Sequence, residues 1–342
     1  MTVERTHMPE GHPDINQGRI GVMLINLGTP DGTDVPSVRR YLREFLGDPR
    51  VIEVPRAIWF LILNLIILTL RPPKTARAYR KVWNEETGEG PLLHYTRLLA
   101  EGLAARFAGG PVRVAHAMRY GNPSIASVLY RLKAEGCDRI LIVPLYPQYS
   151  ATTTATVVDK VGEAMRAMRW QPTIRVAPPY YDDPAHIEAL AQSVEADIAE
   201  HGRPDVLVAS FHGLPKEYFE KGDPYHCHCA KTARLLRERL GLDETQFRMT
   251  FQSRFGPKEW LQPYTDETLA ALPDEGVKSA AVVTPGFPAD CVETLEEIAI
   301  EGRKTFEEAG GEAFRTIPCL NDSPVHVEMM ETIVRRELGG WL

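Results

Sequence analysis

The sequence predicts an α/β protein of two doubly wound units, each with a parallel four-stranded sheet. Eight short, largely apolar runs alternate with amphipathic helical stretches, the pattern of parallel strands buried on both faces. The runs fall into two sets of four, and the ends of corresponding runs repeat short motifs in the same order. That repetition indicates two copies of one α/β unit. At 342 residues the chain has room for about two domains.

The first set of strands is expected at 20–27 (IGVMLINL), 112–118, 139–145 (RILIVPL) and 173–177. The second is expected at 205–211 (DVLVASF), 247–252, 278–284 and 314–318. The first strands lead into Asn26-Leu27-Gly28-Thr29-Pro30 and Phe211-His212-Gly213-Leu214-Pro215. The second lead into Arg119-Tyr120-Gly121 and Arg254-Phe255-Gly256, and the third into Tyr146-Pro147 and Phe287-Pro288. Ligands of open parallel sheets bind beyond the carboxyl ends of the strands, so two units facing each other would line one cleft with these segments. Taken singly, each segment could equally be an ordinary strand terminator. The first-to-second interval is much longer in the amino-terminal half, and the excess carries the apolar stretch 57–70, AIWFLILNLIILTL.

Composition narrows the function classes. The net charge of −7, from 46 acidic and 39 basic residues, lacks the positive field that drives phosphate-backbone binding, so nucleic acid is not an expected partner. There is no G-x-G-x-x-G, no P-loop, no G-x-S-x-G and no C-x-x-C. Dinucleotide, NTP, α/β-hydrolase and thioredoxin-like chemistry lose their usual signals. Five cysteines are too few for a disulfide scaffold, and the polar segment 1–19 has no signal-peptide core, which together suggest a cytoplasmic protein. Residues 57–70 are shorter than the ~20 apolar residues of a membrane span. They are expected to form a core helix, an interfacial anchor or the lip of an apolar ligand site, with Arg71, Lys74, Arg77, Arg80 and Lys81 following.

Three groups could carry chemistry. His212 stands at the tip of a buried strand, placed as a base or metal ligand, or as a satisfied structural histidine. Ser210 is taken to face away from it, which disfavours a Ser-His pair. Asp290 opens a helix on which Glu293, Glu297 and Glu301 recur every fourth residue. That pattern is either a cap with a solvated acidic face or a carboxylate stripe for a cation such as ferrous iron. The run His226-Cys227-His228-Cys229 offers four ligand types in a row, which reach one ion only in a tightly folded loop.

These residues resemble the ferrochelatases, class II chelatases that insert ferrous iron into a porphyrin in the last step of haem synthesis. The likeness runs from about Arg19 to the carboxyl terminus. It is carried by LINLGTPD (24–31), MRYGNP (118–123), PLYPQYS (144–150), SFHGLP (210–215), FQSRFGPKEWLQPYTDETL (251–269) and PGFPADCVETLEEIA (285–299). The resemblance implies two flavodoxin-like domains related by duplication, with the carboxyl-terminal helix packing back on the first. The division expected is a flexible polar tail at 1–19, an amino-terminal domain at 20–180 plus 320–342, and a carboxyl-terminal domain at 181–319. It implies that His212 is the metal-site histidine and acceptor of pyrrole protons, with Glu293 as its carboxylate partner. Asp290, Glu297 and Glu301 would support or extend an acidic track, on a helix with a π-type widening. Leu27, Tyr79, Arg119, Tyr120 and Phe287 match porphyrin-contacting positions, and Arg71 a lip position near the propionates. Many relatives have histidine where Cys291 stands, so that position would be supportive.

The implied partners are protoporphyrin IX and ferrous iron, the iron being substrate, with no obligatory cofactor. A [2Fe–2S] cluster of the animal type is not expected, because Ala151 replaces its first cysteine and no carboxyl-terminal extension supplies the others. Residues 57–70 would form a mobile lip able to touch the inner face of the membrane. The competing readings are a non-catalytic tetrapyrrole or metal binder, and a chelatase acting on coproporphyrin III or cobalt.

Overall fold

The computed structural model describes residues 9–12 and 15–342. Residues 1–8 and 13–14, half of the expected flexible tail, lie outside the described residues. The end of that tail is tied down: Asn16 Nδ2 donates to Ala134 O at 3.1 Å, and Arg19 already belongs to a strand.

Strands β1 (Arg19–Gly28), β2 (Val112–Tyr120), β3 (Cys137–Pro144) and β4 (Thr173–Val176) form one parallel sheet in the order β2-β1-β3-β4. Strands β5 (Val206–His212), β6 (Phe247–Gln252), β7 (Ser279–Val283) and β8 (Ala313–Thr316) form a second in the matching order β6-β5-β7-β8. Identical topology in both halves is the structural form of the duplication.

Alternation along β1 splits its side chains between two cores: Ile20, Val22 and Leu24 on one face, Met23 and Ile25 on the other. The first of these cores also takes in Leu207, Ala209 and Phe211 of β5 and Ala281 and Val283 of β7. The two sheets therefore share one apolar interior. It is filled by the helices Pro184–His201, Tyr225–Arg239 and Pro324–Glu337. The last of these packs on both Pro91–Arg106 and Pro184–His201. Polar ties hold the halves in register. Asp223 Oδ2 accepts from Ser150 Oγ at 2.9 Å and Ala151 N at 2.8 Å, and Gln148 Nε2 donates to Thr232 Oγ1 at 3.1 Å. Gly28 ends β1 at φ +117, where a Cβ would lie 1.8 Å from the Tyr120 carbonyl oxygen; only glycine fits this approach to β2.

The insertion after β1 folds as helix Val35–Gly47 followed by a 27-residue helix, Arg56–Val82, widened to a π turn at Leu63–Ile67. Pro72 and Pro73 lie inside it. Pro72 cannot donate to the carbonyl of Leu68, and Arg39 Nε replaces that bond at 2.8 Å. Leu63, Leu68, Ala76 and Tyr79 are buried, whereas Ile58, Phe60, Leu61, Leu65, Ile66 and Leu70 are exposed. Two expectations change. Only 17% of the apolar window is buried, so this is not a core helix. By length and composition the whole helix meets the requirement for a membrane span, so shortness no longer argues against one. Its packing does: Trp59 Nε1 donates to Leu46 O at 2.6 Å near one end, Lys81 meets Glu296 of the other half at 2.7 Å near the other end, and between them the helix packs on Val35–Gly47.

Candidate active site

His212 is the last residue of β5, in register with Gln252 at the end of β6. Its Nδ1 lies 2.6 Å from Gly213 O. A carbonyl only accepts, so Nδ1 carries the hydrogen, and Nε2 is the ring nitrogen left to exchange a proton or meet a metal. Gly213 N in turn donates to Gln252 O at 2.8 Å. The imidazole stands 6.4 Å from the Phe287 ring.

The acidic segment forms a π-helix, Glu293–Gly302. Its first turn is fastened to the strand ends, because Gln252 Nε2 donates to Glu293 O at 3.0 Å. Glu297 turns toward the same place and accepts from Ser253 N at 2.6 Å and from the Ser253 hydroxyl. Ser253 holds a left-handed backbone, φ +67, a strained conformation for serine that these bonds to Glu297 help maintain. Burial pushes the Glu297 carboxyl above the usual range; the Ser253 bonds and His212 oppose that rise, and Glu293 adds to it. Glu301 does not join this group: it is exposed, 4.0 Å from Lys81 Nζ.

Asp290 is buried and fully engaged. Its carboxylate accepts from Thr294 Oγ1 at 2.8 Å and from Asn321 Nδ2 at 2.7 Å. It ties the start of the acidic helix to Asn321 through side chains, and not by the cap expected, since the helix opens at Val292 without a side-chain cap bond. Cys291 beside it is buried, and burial pushes its thiol well up, with Glu293 acting in the same direction.

The strand tips of the two halves meet. Leu27 from the end of β1 and Phe287 from beyond β7 pack together with Leu92, Tyr95, Ala289 and Cys291. Arg71, on the long helix, lies over the exposed Phe255 ring at 5.2 Å. Three residues matched to porphyrin contacts are closed off. Tyr79 is 6% exposed and set edge-on to Tyr41 and Trp83, and Tyr120 is fully buried against Phe45. Arg119 is buried in an ion pair with Asp48, with Nε also on the Thr156 hydroxyl at 2.6 Å.

A Ferrochelatase family model matches residues 19–338. The chain belongs to the ferrochelatase family. It is 57% identical over 333 residues to the ferrochelatase of Rhizobium meliloti strain 1021, covering 97% of this chain and 98% of that one. It is 56% identical to the ferrochelatase of Rhizobium etli strain CIAT 652, with full coverage of both chains. The fold resembles the sirohydrochlorin chelatase SirB of Bacillus subtilis subspecies spizizenii in complex with cobalt, at TM-score 0.56 and 12% identity over 94% of this chain and 97% of that one. It also resembles CbiX, a terminal enzyme of sirohaem biosynthesis in denitrifying bacteria, at TM-score 0.52 and 15% identity over 92% and 98%. As a ferrochelatase the protein is a lyase that inserts ferrous iron into a porphyrin for haem synthesis.

Two sequence readings are corrected within this ferrochelatase. His226, Cys227, His228 and Cys229 lie on a helix, Tyr225–Arg239, and not in a folded loop. Successive helical residues point ~100° apart, and the rings are already committed: His228 stacks on Tyr181 at 3.7 Å, and His226 on Phe251 at 5.7 Å. Among the described residues no group of three or more metal-ligating side chains is gathered. Ser210 shares the face of His212, because residues two apart on a strand do. What prevents a Ser-His pair is that its hydroxyl is held by Gln252 Oε1 at 2.8 Å. Gln252 and Ser253 were not singled out, although their place between a strand end and the repeated Arg-Phe-Gly segment marked them.

Proposed function

We propose that His212 and Glu293 carry the metallation, with protoporphyrin IX as the porphyrin. The observation that supports this best is the tautomer fixed at His212: the Nδ1 hydrogen is spent on Gly213 O, so Nε2 is free to take a pyrrole proton or to touch iron. Metallation needs two N–H protons removed and an ion delivered by ligands weak enough to release it. A histidine on one strand tip and carboxylates on the facing helix meet both needs without a nucleotide. Leu27 and Phe287 supply an apolar bed for a flat macrocycle, and exposed Arg71 stands where a propionate could be met. Buried Arg119 keeps one nitrogen, Nη1, without a hydrogen-bond partner, 4.0 Å from Glu44 Oε1, which leaves donor capacity for a closer carboxylate. For Tyr120 to touch substrate, the Arg56–Val82 helix that packs with it, and that itself carries Tyr79, must move.

The exposed apolar side of that helix, followed by exposed Lys74, Arg77 and Arg80, favours a peripheral contact with an anionic membrane at the cytoplasmic face, from which an insoluble porphyrin could be taken. The test is anaerobic turnover with ferrous iron. Wild type is expected to form haem from protoporphyrin IX faster than it metallates coproporphyrin III. His212→Ala and Glu293→Gln are each expected to lose at least 100-fold in kcat while porphyrin affinity, read by fluorescence quenching, is kept. Full activity in His212→Ala, or a preference for coproporphyrin III, would refute the corresponding half of the proposal.

A further inference from the structure

We propose that Gln252 is a positioning residue for iron insertion, holding the histidine and the acidic helix at a fixed separation. The inference rests on the assignment of His212 and Glu293 to the reaction. Gln252 is 3% exposed, so its polar atoms must find partners inside the protein. Its carbonyl accepts from Gly213 N at 2.8 Å, and the carbonyl of Gly213 takes the Nδ1 hydrogen of His212. Its side-chain nitrogen reaches the other way, to Glu293 O at 3.0 Å and toward Glu297 Oε2 at 3.5 Å. One residue thus bonds to both halves of the site, through its main chain to the base and through its amide to the carboxylate helix.

A primary amide works in this role only if it cannot flip. With oxygen and nitrogen exchanged, its oxygen would face two acceptors and both contacts would become repulsive. A buried chain of hydroxyls fixes the orientation. Ser210 Oγ donates to Gln252 Oε1 at 2.8 Å, lies 2.9 Å from Thr265 Oγ1, and Thr265 Oγ1 lies 2.9 Å from Thr250 Oγ1. All three are buried, so no solvent replaces a missing partner. A polar knot that served folding alone would close on itself. This one ends on the first turn of a π-helix and on a carboxylate beside the reaction centre.

Two substitutions separate the parts. Gln252→Met keeps the length and removes both polar ends; Ser210→Ala removes only the hydroxyl that orients the amide. Initial rates are measured with ferrous iron and protoporphyrin IX varied separately. Gln252→Met is expected to raise the KM for iron about tenfold and to leave the porphyrin KM within about twofold. Ser210→Ala is expected to raise the iron KM less. The double variant should be no worse than Gln252→Met, because Ser210 acts through the amide. An unchanged iron KM, equal losses for both substrates, or an additive double variant overturns the inference. If Gln252→Met does not fold by circular dichroism, Ser210→Ala decides alone, a wild-type iron KM counting against and a selective rise counting for. Should His212→Ala and Glu293→Gln run at full rate, the site assignment itself has failed, whatever Gln252 does.

Discussion

Arg119 shows how a single residue can match a ligand position by sequence and serve packing in the folded chain. Its side chain is 6% exposed and that of its partner Asp48 5%, so the pair is dry. Burial raises the Asp48 carboxyl. It is outweighed by hydrogen bonds from Thr156, Arg50 N and Tyr120 and by the Arg119 charge, which together hold the acid below its usual range. Replacing a buried pair by apolar groups is often neutral, whereas removing one partner strands the other at a cost of roughly 3–5 kcal/mol. Arg119→Met is therefore expected to lower unfolding stability by about 3 kcal/mol in urea titrations. A loss below about 1 kcal/mol would mean that the three remaining donors satisfy Asp48 without the guanidinium.

At the scale of the element, the long helix has two apolar faces with different duties. Leu63 and Leu68 pack with Val38, Tyr41, Leu42 and Tyr120, while Leu61, Leu65 and Leu70 face outward. Leu63→Ala is expected to cost roughly 2–4 kcal/mol in a denaturant melt, the range for a truncated core leucine. Leu61→Ser with Leu65→Ser should leave stability within about 0.5 kcal/mol and reduce sedimentation with anionic liposomes. If the outward pair changes stability and not liposome binding, the exposed side is packing surface for the chain itself. The apolar run at 57–70 was visible in the sequence, but its division into faces was not. The helix extends through Pro72 and Pro73, which normally end one, and it does so because Arg39 from a neighbouring helix caps the Leu68 carbonyl. A bond to a residue 29 positions away has no local signature.

Across the whole molecule, the duplication was legible because strand ends repeat: Gly28 and Gly213 follow the first strand of each half and approach the carbonyls of Tyr120 and Gln252 on the second, in two sheets of the same order. A further repeat follows the fourth strands. Asp183-Pro184-Ala185-His186 and Ser323-Pro324-Val325-His326 each open a helix, with the first residue as cap and proline in the first turn. Which domain each helix covers depends on the shared interior, so no local pattern could place the two histidines in one core. Both are 1% exposed, and His186 Nδ1 and His326 Nε2 lack hydrogen-bond partners. Burial pushes both down to about 4; the nearby His326 lowers His186 further and Asp183 opposes, while the Asn321 carbonyl and Asp322 oppose the shift at His326. Unfolded, each would titrate near 6.5. Between those values the unfolded chain binds protons that the folded chain refuses, so the stability is complete above pH ~6.5 and falls as the pH drops toward ~4. Each histidine contributes a slope of roughly 1 kcal/mol per pH unit over that window. Urea midpoints between pH 7 and pH 4.5 are expected to fall accordingly, and His326→Leu should flatten about half of the slope. A wild-type slope in both His326→Leu and His186→Leu would place the acid sensitivity elsewhere in the molecule.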